Sequence, residues 1–133
     1  MKKLLSVLII GFLSMIVVTG CSEGEASAIK QMHVNDILER MAQSEESGDG
    51  AIYIDVREVH EFDEAHIDGF INYPLSTLEN TLSDLPMDNE IIIICRSGNR
   101  SMQAASLLKE NGFNELTNVQ GAMVEWQGET SSN

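Results

Sequence analysis

The amino-acid sequence predicts an α/β layer fold built on a mostly parallel sheet. Three observations carry that expectation. From about Ala28 onward, short apolar runs alternate with amphipathic stretches of helical spacing, the pattern of strand–helix units. One run, the "IIII" of "EIIII" at 91–94, is continuously apolar, as a strand covered on both faces would be. Finally, two of the apolar runs pass directly into charged loops, "AIYI" into "DVRE" and "IIII" into "CRSGNR". In open α/β sheets, sites gather at the carboxyl ends of the strands, where both loops fall.

The elements follow in order. "AIKQMHV" reads as a first strand, after which Asn35 is a plausible N-cap for a helix with Ile37, Leu38 and Met41 on one face. "QSEESGDG" is a polar loop, and "AIYIDV" at 51–56 is a buried strand. "EVHEFDEAH" places Val59, Phe62 and Ala65 at helical spacing, and "GFINY" is a short strand. Ser76 and Glu79 have the Ser-x-x-Glu form of a capping box ahead of a helix carrying Leu78 and Leu82. "SMQAASLLKENG" reads as a helix with Met102, Ala105 and Leu108 on one face, Lys109 in its last turn and Gly112 as its cap. "ELTNV" is a last strand and "AMVEWQ" a last helical turn.

The chain has 133 residues, enough for one domain of ordinary size, and its 43% hydrophobic and 22% charged content is globular. The formal net charge is −13. Such a surface repels nucleic acid and anionic headgroups, so no nucleic-acid partner is expected. His33, His60 and His66 lack the spacing of a metal motif, and neither a metal nor another cofactor is expected. The two cysteines, Cys21 and Cys95, allow one disulfide on count alone.

The first twenty residues argue against that pairing. Lys2 and Lys3 precede an apolar run from Leu4 to Val18, and Thr19 and Gly20 precede Cys21. This is the layout of a secretory signal peptide. "VTGC" resembles the lipobox of bacterial lipoproteins, which implies a lipidated Cys21 as the mature N-terminus. The alternative is an uncleaved anchor, since the uncharged stretch from Leu4 to Ser22 is long enough to span a bilayer. Either way the domain faces the extracytoplasmic side of a bacterial membrane. "SEGEASA" then reads as a flexible tether. The expected organisation is a leader at 1–20, a tether at 21–28, a domain at 29–128 and a disordered tail at 129–133, with a monomer as the expected state.

The loop "CRSGNRS" at 95–101 carries the chemistry. A glycine-containing turn between a strand and a helix points backbone N–H groups inward, and the helix N-terminus adds partial positive charge. Arg96 and Arg100 add more. That setting favours the thiolate of Cys95, the nucleophilic form, and suits an anion brought to the sulfur. A strand-end cysteine alone would read as a small buried hydrophobe. Two arginines and a turn directly behind it are not what an inert core cysteine requires.

"CRSGNRS" resembles the active-site loop of rhodanese-like sulfurtransferases, C-R-x-G-x-R. "YIDVREVHEFDEAHIDGFINYPL" at 53–75 is similar to that family's D-V-R-E, E-[FY] and G-H-I-P-G-A-x-N-[IL]-P segment, and "NVQGAMVEW" at 118–126 to its closing G-G-x-x-x-W. The resemblance spans about residues 30–128. It implies a five-stranded parallel sheet with helices on both faces. It also implies that Cys95 takes a sulfane sulfur from thiosulfate or a persulfide and passes it to a thiol or cyanide. Arg96, Ser97, Gly98, Asn99 and Arg100 would bind the small anionic donor, with Asp55 and Arg57 bracing the loop. The chain departs from the pattern at Asp68, where proline is usual, at Phe70, where alanine is frequent, and at Ala122, where a second glycine is usual. His66 and Trp126 read as packing residues. Cysteine phosphatases carry C-x5-R, but position 101 is Ser101 and the arginine is Arg100, so the loop is one residue shorter. That shorter ring suits a terminal sulfur better than a tetrahedral phosphate or arsenate. A non-catalytic rhodanese-like binding module is the other class left open.

Overall fold

A computed structural model of the chain describes residues 28–133. The leader read at 1–20 and the lipidation site Cys21 lie outside the described residues. Among those described, no helix is long and apolar enough to cross a membrane.

Five strands form one sheet: β1 (Lys30–His33), β2 (Ile52–Asp55), β3 (Ile71–Asn72), β4 (Ile91–Ile94) and β5 (Leu116–Gln120). All neighbours are parallel, in the order β1-β5-β4-β2-β3. The α-helices among the described residues are α1 (Ile37–Ser47), α2 (Val59–Glu64), α3 (Asn99–Glu110) and α4 (Ala122–Glu125). The expected fold class is therefore the one observed.

β4 shows why an unbroken isoleucine run makes a strand here. All four isoleucines are fully buried. Ile91 and Ile93 pack with Leu78, Leu85, Ala104, Ala105 and Leu108 on the α3 face. Ile92 and Ile94 pack with Val34, Ile37, Phe62 and Val119 on the face covered by α1, α2 and α4. A central strand with both faces covered has no solvent side on which to alternate. The two-residue period then puts Cys95, immediately after β4, on the α3 face with Ile91 and Ile93.

Three local expectations give way to other contacts. Asn35 does not cap α1; residues 34–36 form a 3₁₀ turn in which the Asn35 N–H donates to His33 Nδ1, and α1 starts at Ile37. The predicted capping box at Ser76 and Glu79 does not form. Ser76 Oγ donates instead to Glu58, and residues 78–84 wind as a 3₁₀ segment that still buries Leu78. The segment expected as a disordered tail folds back on the domain. Ser131 and His66 exchange backbone hydrogen bonds of 2.9 Å, and Asn133 N–H donates to Asp63 O. The extended backbone at 131 finds an open edge beside α2, which outweighs its polar composition.

Two of the departures from the family pattern, Phe70 and Ala122, resolve as packing, while Asp68 is exposed. Phe70 is buried and meets Tyr53 edge-on, with ring centroids 5.5 Å apart. Ala122 is fully buried at φ 52°, a left-handed conformation that a glycine would adopt without strain. His66 stacks on Phe62 and its Nδ1 lies 2.8 Å from Phe62 O, and Trp126 packs against the α1/α2/α4 core. Gly112, at φ 93°, terminates α3 as the sequence suggests.

Candidate active site

The site lies where β4 ends and α3 begins. Cys95 closes the strand, Arg96 to Gly98 make the turn, and Asn99 is the first residue of α3. Gly98 adopts φ 107°, a conformation closed to most residues, and this turns its N–H back toward the thiol. The N–H donates to Cys95 Sγ at 3.0 Å. The Cys95 thiol in turn donates to Ser101 Oγ at 3.3 Å, and Ser101 Oγ donates to Gly98 O at 3.0 Å. Ser101 is fully buried and thereby ties the first turn of α3 to the loop.

Two carbonyls of the loop are taken by α4. Met123 N–H donates to Cys95 O at 3.1 Å and Val124 N–H to Arg96 O at 3.0 Å. With those two oxygens taken up by α4, the Gly98 N–H donates to the sulfur and the twelve-residue α3 begins one residue later. A backbone N–H beside a helix N-terminus is a place where an anionic group brought to the sulfur can be held.

The two arginines of the loop have different situations. Arg100 makes a forked pair with Glu61, Nη1 to Oε2 at 2.6 Å and Nη2 to Oε1 at 2.8 Å. Glu61 Oε2 also accepts from the backbone N–H of Glu58, at the start of α2. The Arg100 hydrogen bonds are the main reason the Glu61 carboxyl is held down at about 2, and the same pairing raises Arg100. Both outer nitrogens of Arg100 are thus committed to α2, and its guanidinium anchors the loop to that helix. Arg96 is exposed, and its guanidinium has no hydrogen-bond or ion-pair partner among the described residues. Ser97 and Asn99 are exposed as well.

Asp55 and Arg57 form a buried ion pair, but at one remove from the loop. Arg57 Nε and Nη2 donate to the Asp55 carboxylate at 2.7–3.1 Å, and Nη2 also reaches Ala65 O at 2.7 Å. Asn72 Nδ2 bonds the carbonyls of both residues. Neither side chain bonds to residues 95–101 among the described residues; what they brace is the end of α2 and strand β3. Arg57 nevertheless reaches the site by lining a cavity of about 430 Å³ beside the loop. Glu61, Glu64, Arg96, Met123 and Val124 line it too. Cys95 is not part of that wall, and it is 1% exposed.

Sequence reasoning placed Cys95, Arg96, Gly98 and Arg100 in one loop, and the structure brings them together. It passed over Glu61, Glu64, Met123, Val124 and the tie made by Ser101. Glu61 lay inside the quoted E-[FY] match, the one signal that could have marked it.

A strand-end thiol held by a loop N–H at a helix N-terminus, on a five-stranded parallel sheet, defines a parallel α/β domain with a cysteine loop at the carboxyl end of its central strand. Comparison with known proteins narrows it: the Rhodanese-like domain family matches residues 34–129, and the chain belongs to that family. Bacillus subtilis YtwF, provisionally named a sulfurtransferase, is 35% identical over 100 residues, covering 74% of this chain and 96% of that protein. Bacillus subtilis YrkF, provisionally named a sulfur carrier protein, is 38% identical over 108 residues. The match covers 80% of this chain but only 58% of YrkF. Among solved structures, a rhodanese-like domain protein from Staphylococcus aureus superposes with a TM-score of 0.70 at 23% identity, over 79% of this chain and 99% of that one. The human single-domain sulfurtransferase TSTD1 superposes at 0.60 with 26% identity, over 77% and 96%.

Proposed function

We propose that the protein is a sulfurtransferase that moves a sulfane sulfur from thiosulfate or a persulfide donor to a thiol or cyanide through a persulfide on Cys95. The observation that carries this reading is the Gly98 N–H at 3.0 Å from Cys95 Sγ, at the N-terminus of α3. In the first half-reaction the Cys95 thiolate attacks the outer sulfur of thiosulfate. A new S–S bond forms, the old one breaks, and sulfite leaves with its electron pair. In the second, the acceptor attacks the terminal sulfur and the electron pair of the broken bond returns to Cys95. Arg96, exposed and unpaired, is the group that meets the sulfonate end of the donor. The relatives named for sulfur transfer or sulfur carriage support the reading. The test is thiocyanate formation from thiosulfate and cyanide, expected in wild type and abolished in Cys95→Ser; equal turnover in the two proteins would overturn it.

The leader and Cys21 extend this to a placement: a lipid-anchored domain on the extracytoplasmic side of a bacterial membrane. Two acyl chains hold a protein firmly where one does not. The intact mass of the mature protein decides the point, since an unmodified Cys21 contradicts it.

A further inference from the structure

Of the charged side chains lining the cavity beside the cysteine loop, two are already committed. Glu61 serves Arg100 and the N–H of Glu58. Arg57 serves Asp55 and Ala65 O. One carboxylate, Glu64, and one guanidinium, Arg96, remain exposed without a partner among the described residues. Met123 and Val124 supply an apolar wall, and Val124 is exposed to 58%. A volume of about 430 Å³ lies within the range of small-molecule sites.

We infer that this cavity binds the sulfur acceptor as a low-molecular-weight thiol carrying both an ammonium and a carboxylate group, with Glu64 receiving the ammonium and Arg96 the carboxylate. The inference rests on the sulfur-transfer reading and names the acceptor class of the same site. A purely anionic thiol gains Arg96 but faces Glu64, and it approaches a chain of net charge −13. A purely cationic thiol gains Glu64 but faces Arg96 and Arg57. A zwitterion satisfies both unpaired groups, has no net charge for the surface to repel, and can lay its carbon stem on Met123 and Val124. Arg96 can serve donor and acceptor in turn, because sulfite leaves before the acceptor enters. The transfer balances without another reactant. The acceptor thiolate forms a bond to the terminal sulfur, the bond to Cys95 Sγ breaks, and Cys95 keeps the electron pair as its thiolate. The acceptor's thiol proton is released to solvent when it ionises.

The experiment loads Cys95 with sulfur, removes the donor, and follows single-turnover discharge by four thiols at equal thiolate concentration. These are cysteine, cysteamine, mercaptopropionate and mercaptoethanol. Cysteine is expected to discharge the persulfide about three- to tenfold faster than any of the other three, the scale of partly solvated ion pairs. Glu64→Gln should slow cysteine and cysteamine without slowing mercaptopropionate, and Arg96→Gln, compared at equal persulfide loading, should slow cysteine and mercaptopropionate more than it slows cysteamine. A chain that loads sulfur but discharges to all four thiols at one rate, or a Glu64→Gln variant that slows all four alike, overturns this inference and leaves sulfur transfer standing. A chain that takes up no sulfur from thiosulfate or an organic persulfide overturns both.

Discussion

Glutamine in place of Glu61 is predicted to loosen the cysteine loop, by an amount that depends on pH. In the folded protein the Arg100 guanidinium holds the Glu61 carboxyl at about 2, against an ordinary value of 4.5. Burial works in the opposite direction, and the backbone N–H from residue 58 works with Arg100. A displacement of that size corresponds to about 3 kcal/mol of preference for the charged form. Water reaches both partners, whose side chains are 29% and 22% exposed, and this reduces the expected contribution to about 1–2 kcal/mol. The sign follows from proton uptake. The unfolded carboxyl takes its proton near 4.5 and the folded one near 2, so the contribution is complete above about pH 5 and is lost as pH falls toward 2. Urea unfolding of wild type and Glu61→Gln at pH 7 should therefore show a gap of about 1–2 kcal/mol. At pH 3.5 that gap should shrink by roughly 40%. A gap of equal size at both pH values would refute the argument. Because Arg100 is committed to Glu61, Arg100→Lys should slow transfer from thiosulfate and from an organic persulfide alike. A loss confined to thiosulfate would mean that Arg100 leaves Glu61 to read the donor.

Gly98→Ala places a methyl group in open space at φ 107°, so its cost is backbone strain alone, about 1–2 kcal/mol. The displaced N–H should lower sulfur-transfer efficiency by about tenfold or more; a variant with full activity would remove Gly98 from the account. Asp55→Asn leaves the buried Arg57 without its counter-charge and is expected to cost about 3–5 kcal/mol in denaturant unfolding, with a loss under 1 kcal/mol contradicting the ion-pair reading. Ala122→Val puts a β-branched side chain at φ 52° in a fully buried site and should lower the melting temperature more than Ala122→Gly, which exchanges relief of strain for a lost buried methyl.

The elements that the sequence discloses are those whose cause is local. "EIIII" is a strand because four consecutive β-branched residues enter two cores at once, and Gly112 ends α3 because its left-handed backbone is glycine's own. Cys95 was legible because its strand, its turn and its helix are contiguous. What stayed hidden depends on partners far along the chain. Glu61 and Arg100 are 39 residues apart, and only the fold shows that the loop's last arginine is held by α2. Ser76 had the letters of a cap, but Glu58, 18 residues earlier, took its hydroxyl. The polar composition of residues 129–133 suggested disorder because nothing local announces the edge that His66 offers to Ser131. The roles of Met123 and Val124 rest on backbone N–H groups meeting Cys95 O and Arg96 O, contacts to which side-chain identity gives no signal.

The central claim is that Cys95 carries sulfur, and the most direct measurement is the intact mass of the protein before and after incubation with thiosulfate, followed by mapping of the modified peptide. The account predicts a gain of one sulfur atom on the peptide bearing Cys95, removed by cyanide and absent in Cys95→Ser. A wild-type protein that gains no mass from thiosulfate or from an organic persulfide, while remaining folded, would contradict it and favour the non-catalytic binding module.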